Sequence, residues 1–554
     1  MTVDSLASDA AAPIGHAERQ VVLAACVGAA LEWYDFFVFA ALAATIASNF
    51  FTGLDASTGF IFALLTFAAG FIVRPIGALV FGRMGDQKGR KRTFMLTVIL
   101  MGGATVLLGA LPTFGQIGVL APALLILLRM VQGFAIGGEY GAAASYVAEH
   151  APQDKRGAYT AWVQTTSTIG LLLSLIVVTT ARQISGTGFD AWGWRIPFLF
   201  SALLLVISIY IRRSMSESPA FERVKGAGRI SPAPLREAFG QWSNVRLVLQ
   251  GLFGLLAGQA VVWFTALFYA LFFLTQTLKV DPASANLLVG TALVISIPMY
   301  VLFGRLSDRI GRKPVILGGS FLAALTIFPI FHGLMVFANP ALATARQGTP
   351  IVVTTDAAAC SLQFNPIGIA RFTSPCDIAR KVLATSAANY TLVSAPSASA
   401  HVKIGAADIE APSLADRSPA EAKRLEQAFA TQLQAALAGV GYPAHADPAA
   451  INKPMVVLLL TVLMAYGAMT LGPISAALVE MFPTRIRYSA MSFPYHIGNG
   501  YFGGFLPAIC FAIVAETGDA FAGLWYPVTI AAISGLIGLF CIRESHNIDI
   551  FFRD

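Results

Sequence analysis

Charge is what this sequence has least of. Only 12% of its 554 residues are Asp, Glu, Lys or Arg, about half the usual share in a soluble domain, which excludes an ordinary water-soluble globular chain. Cysteine is scarce too, at five residues, and that excludes a disulfide-dense secreted scaffold. The histidines and cysteines show no metal-ligand spacing, and no Walker P-loop is present, so neither a metal, a cofactor nor ATP-driven chemistry is expected. Residues 1–18 are polar and the first apolar run is too long for a signal-peptide core, so no cleaved leader is expected. What remains is apolar: 56% hydrophobic residues and a mean hydropathy of +0.69.

Apolar runs of roughly 20 residues or more, long enough to cross a bilayer, recur about twelve times. They fall near 20–48, 57–81, 93–112, 118–147, 157–180, 195–212, 245–275, 283–303, 314–337, 455–479, 488–514 and 520–541. The net charge of +7 raises nucleic acid as a partner. The placement of that charge argues otherwise. Lys and Arg gather at 83–92, 155–156, 212–236, 305–313 and 485–487, whereas 50–57 and 113–119 hold none. By the positive-inside bias the basic loops and both termini are cytoplasmic.

The chain also repeats itself. Gly82-Arg83-Met84-Gly85-Asp86-Gln87-Lys88-Gly89-Arg90-Lys91 returns as Gly304-Arg305-Leu306-Ser307-Asp308-Arg309-Ile310-Gly311-Arg312-Lys313, an offset of 222 residues (304 − 82). Glu149-x-x-Pro152-x-x-x-Arg156 returns as Glu480-x-x-Pro483-x-x-x-Arg487, an offset of 331 (480 − 149). The same architecture occurs twice, and the second copy carries an insertion. Duplicated membrane bundles are the pattern of secondary transporters.

The insertion is 338–453. Its Ile351–Thr355, 388–393 and 401–404 stretches read as short strands. Ser418-Pro419-Ala420-Glu421 reads as an N-cap with Pro at N1. Leu425, Phe429, Leu433 and Leu437 follow at i+4 spacing, so a helix is expected to about Gly439. This makes a small α+β domain outside the membrane, serving as a lid, a docking surface or a ligand receptor. Cys360 and Cys376 lie in it, where topology permits a disulfide. Cys26, Cys510 and Cys541 read as buried apolar residues.

Charges at membrane depth need a reason, since each costs about 2.5–3.5 kcal/mol. Glu32 and Asp35 share a helical face at i, i+3 and read as proton carriers or as structural hydrogen-bonding groups. Arg129, Gln132 and Glu139 form one polar stripe. Arg129 and Glu139 are about 15 Å apart along the axis, too far to pair, so Arg129 suits a substrate carboxylate. Gly133, Gly137 and Gly141 beside the stripe read as a close helix contact. Arg74 reads either as a second anion-binding group or as the partner of an acid on the first helix. Tyr34, Gln164, Gln259, Trp263, Tyr269, Tyr300, Tyr466, His496 and Asn499 are further polar or amphipathic groups in apolar runs. Gly498-Asn499-Gly500-Tyr501-Phe502-Gly503 matches a dinucleotide pattern, but no strand precedes it and that reading fails.

These residues resemble the major facilitator superfamily. Gly82, Asp86, Gly89, Arg90, Lys91 and Arg92 match its loop 2–3 signature, and Gly304, Asp308, Gly311, Arg312 and Lys313 match its weaker second copy. Glu32-Trp33-Tyr34-Asp35, Arg74-Pro75 and Arg129-x-x-Gln132-Gly133-x-x-x-Gly137-Gly138-Glu139 are similar to its metabolite:proton symporter branch, whose members take up dicarboxylates, shikimate, proline and betaine. The resemblance covers everything outside 338–453. It implies a cytoplasmic latch at the loop 2–3 motif, where Asp86 can accept hydrogen bonds from basic residues or from a helix N-terminus of the other half.

The resulting expectation is an all-α membrane protein with the major facilitator fold: 12 transmembrane helices in two six-helix bundles and an α+β extracytoplasmic insert between helices 9 and 10. The divisions are an N-terminal tail at 1–19, bundles at 20–213 and at 245–337 with 454–543, a central loop at 214–244, the insert at 338–453 and a C-terminal tail at 544–554. Its function would be proton-coupled import of a small carboxylate metabolite across a bacterial inner membrane, by a monomer without cofactors. Glu32, Asp35, Glu139 and His496 would couple protons. Arg129, Arg74, Gln132, Tyr34, Gln164, Trp263 and Asn499 would bind substrate. Uptake of a zwitterion such as betaine, with Trp33, Tyr34 and Trp263 boxing its ammonium, proton antiport and a sensor role for the insert are the alternatives. One charge falling through 100 mV yields about 2.3 kcal/mol, so a dianion would need two or more protons for efficient uptake.

Overall fold

The computed structural model describes residues 16–51, 56–213, 217–356, 358, 360–361, 373–395, 399–546 and 548–550. Most of the expected N-terminal tail, the tip of the C-terminal tail and residues 214–216 of the central loop lie outside them. The first half is built from α1 (His16–Ala41), α2 (Ala56–Lys88), α3 (Arg90–Ala110), α4 (Leu120–His150), α5 (Arg156–Ser185) and α6 (Arg195–Arg213). The second is built from α7 (Trp242–Thr277), α8 (Pro282–Ile310), α9 (Arg312–Ala338), α10 (Lys453–Met481), α11 (Arg487–Val514) and α12 (Ala522–Cys541). Among the described residues, ten helices, α3 to α12, are long and apolar enough to cross a membrane. Ile72, Leu107, Val206, Leu302 and Phe540 are exposed on the outside of the bundles, as a lipid-facing surface requires.

Two sequence expectations are corrected here. The apolar run at 20–48 is not one helix: α1 stops at Ala41 and a short helix, Ala43–Phe50, follows. The basic motif at 82–91 is not a loop either. Helix α2 continues to Lys88 and α3 begins at Arg90, so Gly89 alone makes the turn, at φ +103°. Gly311 does the same between α8 and α9, at φ +104°. A side chain disfavours that backbone region, and glycine does not.

Within the first half, α2 packs on α4, α1 on α5, and α3 on α4 and α6. Close α2–α4 packing rests on Gly133 and Gly137, whose missing side chains let the backbone of Gly70 and Arg74 approach. This is the small-residue contact read from the sequence. Between the halves, α2 packs on α11 and α5 on α8. Position two of each half meets position five of the other, as a pseudo-twofold duplication predicts.

The insert leaves α9 at Ala338. Helix α9 starts at the Gly311 turn and is 27 residues long, about 40 Å, so the insert sits at the end opposite the repeated motifs. It contains a four-stranded sheet in the order β2-β1-β3-β4: β1 (Ile351–Thr355), β2 (Thr391–Ser394), β3 (Ala400–Ile404) and β4 (Ala407–Ala411). Strand β1 is parallel to β2 and antiparallel to β3. Helix Pro419–Gly439 starts as its sequence dictates, with the Ser418 hydroxyl accepting from the Glu421 amide at 3.3 Å. Strand β4 and helix Pro375–Thr385 were not anticipated. The latter is the crossover that parallel strands need. Cys360 and Cys376 form a disulfide.

The insert docks on the second half. Arg380 pairs with Glu516 at 2.8 Å and Arg346 with Asp519 at 3.4 Å. The amide of Tyr390 donates to Gly518, that of Ala446 to Lys279 and that of Asn452 to Phe337.

Candidate functional site

Two constellations carry the repeated and the buried polar residues. The first spans the end where the halves meet through their motifs. Asp86, at the end of α2, accepts from the Ser489 amide at 2.9 Å, the Tyr488 amide at 3.2 Å and the Ser489 hydroxyl at 2.7 Å. A carboxylate thus caps the N-terminus of α11, where the orphan amides and the dipole favour negative charge. Asp308, at the end of α8, caps α5 through the amides of Gly157 at 2.8 Å and Ala158 at 2.9 Å. Each motif caps a helix of the opposite half.

The second repeated motif also crosses. Glu149 pairs with Arg487 at 2.6 Å and Glu480 with Arg156 at 3.0 Å. The acid of one copy binds the arginine of the other. Arg90 approaches Glu149 at 3.7 Å and donates to the Thr484 carbonyl at 3.0 Å. Arg312 binds Glu480 at 3.0 Å and Asp308 at 2.5 Å. Gly82 lies against Ser489, with no room for a side chain. The Lys91 ammonium reaches the Arg213 carbonyl, and that of Lys313 reaches Leu539 and Ile542. Arg92 is exposed.

The sequence reading missed one member of this network. Glu217 accepts from the amides of Arg90 and Lys91, and the Ser218 hydroxyl bonds Glu149. In the other half Glu544 accepts from the amides of Arg312 and Lys313, and the Ser545 hydroxyl bonds Glu480. Burial pushes the Glu544 carboxyl up, but the backbone amides donating to it outweigh that and hold it below its ordinary value. The signal was present: a Glu-Ser pair follows both α6 and α12, at an offset of 327 (544 − 217).

The second constellation lies between the halves at mid-depth. Trp33, Phe36 and Phe37 of α1, Phe71 and Arg74 of α2, and Gln164 and Ser167 of α5 face Trp263, Phe264, Phe268, Leu471, Tyr495 and Asn499 of the second half across a cavity. Its free volume is about 30 Å³, room for a water molecule or two and not for a solute. Arg74 is its cation. The guanidinium lies 4.1 Å from the Phe71 ring centre and 4.6 Å from that of Phe36. Its Nε and Nη2 have no hydrogen-bond partner among the described residues, an unusual state for buried donors. Of the two readings of Arg74, the pair with an acid on α1 is not found among the described residues, and two aromatic faces flank the guanidinium instead. Asn499 sits in a π-helical turn, Gly498–Gly503, and exchanges hydrogen bonds with Gln259 at 3.3 and 3.4 Å. Gln164 donates to Ser475 at 2.5 Å, and Trp263 to Tyr300 at 3.0 Å. Toward the latch, the Tyr140 and Tyr495 rings stack across the halves at 3.3 Å.

Several expected site residues lie elsewhere. Arg129 does not line the cavity: it binds Gln132 at 2.5 Å and stacks on Phe39 at 4.3 Å. Gln132 in turn donates to Thr105. Tyr34 donates to the Pro197 carbonyl at 2.7 Å, inside the first half. His496 is buried on α11 off the cavity wall. Glu32 pairs with Arg212 of α6, and Glu139 lies against Glu32, with Arg212 and Arg74 facing the same pair. Asp35 accepts from Ser201 at 2.5 Å. Sequence reasoning missed Arg212, which sits at the end of an apolar run and reads as a topology marker.

Two duplicated bundles, crossed at one end and sharing a largely aromatic cavity between them, define a membrane transporter and not an enzyme. The sequence profile described as "Sugar (and other) transporter" matches residues 21–231. The chain is 37% identical over 323 residues to the shikimate transporter of Escherichia coli, covering 57% of this chain and 72% of the relative. It is 34% identical over 328 residues to a putative proline/betaine transporter of Staphylococcus haemolyticus, covering 57% and 68%. The fold matches the proton:xylose symporter XylE bound to 6-bromo-6-deoxy-D-glucose with a TM-score of 0.63 at 16% identity, over 96% of this chain and 98% of that one. The chain belongs to the major facilitator superfamily, in the branch that holds the proline/betaine and shikimate transporters.

Proposed function

We propose that this protein is a proton-coupled symporter that imports a small solute bearing one carboxylate by alternating access. The observation that carries the reading is Arg74: a guanidinium whose Nε and Nη2 have no hydrogen-bond partner among the described residues, at the wall of an aromatic cavity shared by both halves. Its fork suits a carboxylate. Shikimate, proline and betaine, the solutes in the relatives' names, each carry one such group.

Glu32, Glu139, Arg212 and Arg74 supply the coupling. Two carboxylates face two guanidiniums. With both acids ionised the cluster is neutral and Arg74 is held toward Glu139. One proton on the acid pair leaves a net positive charge, which a substrate carboxylate on Arg74 then neutralises. Proton and anion enter together because each removes the electrostatic cost of the other. Asp35 is a second protonatable group on the same helix. The motif-bearing end is the cytoplasmic side, by the placement of Lys and Arg, and the insert is extracytoplasmic. The closed latch then leaves the insert side as the one that opens to admit solute.

A second reading, a zwitterion with a quaternary ammonium, is favoured by Trp33, Phe71, Trp263 and Phe268, which offer ring faces to a cation. Radiolabelled uptake of mono- and dicarboxylates and of betaines, with and without a protonophore, tests both. Protonophore-sensitive uptake of a monocarboxylate or a betaine is expected. Accumulation that survives the protonophore would falsify symport.

A further inference from the structure

A second cavity of about 540 Å³ lies at the latch end, within the second half and away from the aromatic cavity. The start of α7, the N-terminus of α9, the end of α10 and the segment after α12 enclose it. Leu247, Leu255 and Ile316 line its apolar part, and Arg246 and Arg543 its mouth. Both arginines are exposed, and neither pairs with an acid among the described residues. The other cations in the wall are occupied: Arg312 by Glu480 and Asp308, and Lys313 by carbonyl oxygens. The acid present, Glu544, is satisfied by the amides of Arg312, Lys313, Ser545 and His546. An anion at the mouth therefore meets two free guanidiniums against one ionised carboxylate, whose oxygens are already held by backbone amides. Trp242, 72% exposed at the first residue of α7, places this mouth at the headgroup level, where amphipathic rings sit.

We propose that this cavity binds the phosphate ester of an anionic membrane lipid, with the phosphate on Arg246 and Arg543 and the glycerol and first methylenes on Leu247, Leu255 and Ile316. The site has a direct route to the latch. Its outer wall is the segment whose Ser545 bonds Glu480 and whose Ile550 carbonyl accepts from Arg487 and Thr484. A bound headgroup pins that segment against the interlock and favours the closed latch. Arginine is the side chain suited to phosphate, and anionic lipids are enriched on the cytoplasmic face.

The test is thermal unfolding of the purified protein in micelles doped with phosphatidylglycerol, phosphatidylcholine or inorganic phosphate. Binding is read directly, so the result is independent of whether the symport reading holds. Phosphatidylglycerol is expected to raise Tm by about 2 °C or more, and phosphatidylcholine to leave it unchanged. Arg246→Gln with Arg543→Gln should keep the Tm seen in phosphatidylcholine and weaken the phosphatidylglycerol response roughly thirtyfold in apparent affinity, from the loss of two headgroup contacts. Arg229→Gln with Arg236→Gln, an equal loss of surface charge elsewhere, should respond like wild type. A shift with inorganic phosphate alone, lost in the first variant, assigns the site to a soluble phosphate and overturns the lipid assignment. Equal responses in both double variants, or no response to either phosphate source, overturn the site itself.

Discussion

The two halves are mirror partners at the latch and strangers at mid-depth. At the latch every element occurs twice: Asp86 with Asp308, Glu149 with Glu480, Arg487 with Arg156, and Glu217-Ser218 with Glu544-Ser545. Inside the bundles the first half buries Glu32, Asp35, Arg74, Arg129, Glu139 and Arg212, whereas the second half contributes Gln259, Trp263, Tyr300, His496 and Asn499. A closing interface between two bundles works best when each locks the other, so both copies keep the parts. In the proposed symport, proton coupling needs one cluster of ionisable groups, and a second would add desolvation cost without adding coupling.

The symmetry at the latch can be broken most severely at its buried pairs. Arg487→Gln removes the closer of the two arginines on Glu149 and leaves Arg90, and Arg156→Gln removes one of the two on Glu480 and leaves Arg312. Each is expected to destabilise the closed latch by about 3–5 kcal/mol, read as a lower Tm. Comparable losses support two equivalent locks, and a loss in only one would show that the copies have diverged.

The asymmetry at mid-depth is sharpened by paired arginine variants. Arg74→Lys keeps the charge and loses the fork, so KM for the transported solute should rise about tenfold or more. Arg129→Lys should leave KM within about twofold while lowering Tm, since Arg129 binds Gln132 and packs on Phe39. The reverse pattern would return the anion site to α4. Glu139→Gln should retain exchange of internal for external solute while losing accumulation against a gradient, because it removes one negative charge that the proton otherwise neutralises. Accumulation intact in this variant removes Glu139 from the coupling but leaves the transporter reading standing.

Smaller effects separate the insert from the bundles. Cys360→Ser with Cys376→Ser opens a covalent loop of 16 residues' separation and should cost the insert about 3 kcal/mol, detected by proteolysis of 338–453. Uptake should persist. Arg380→Ala removes a buried arginine, 2% exposed, that pairs with Glu516 and donates to the Glu516 carbonyl and the Tyr390 hydroxyl, and should cost about 2 kcal/mol. A large loss of uptake in either variant would instead make the insert part of the transport path.

Much of this molecule was legible in its residues. Most helices of the bundles fall within a few positions of the apolar runs, because bilayer thickness dictates their length; the exceptions are the first run and the C-terminal ends of α2 and α8, which run seven residues further. The latch motifs were legible because glycine, acid and cation sit at fixed spacing in both copies. The Glu-Ser pairs repeat too, but two residues carry too little pattern to stand out. The sequence named both Arg129 and Arg74 for the anion and did not separate them, for a physical reason. Arg74 and Arg129 both lie in apolar runs, and no periodicity reports which one faces the seam between halves. Neighbours decide it: Gln132 and Phe39 hold Arg129, whereas Phe36 and Phe71 present Arg74 to the cavity.

The sequence by itself determined what a solvent can dictate: which stretches dissolve in lipid, which ends carry the basic residues, that the bundle was duplicated, and that a small folded unit interrupts the second copy. Only the tertiary structure decided which partner each buried charge meets. Glu149 finds Arg487 across 338 residues of chain, whereas the Arg156 of its own motif pairs with Glu480. Solubility acts on each residue where it stands, but pairing depends on distances that exist only after the helices have packed.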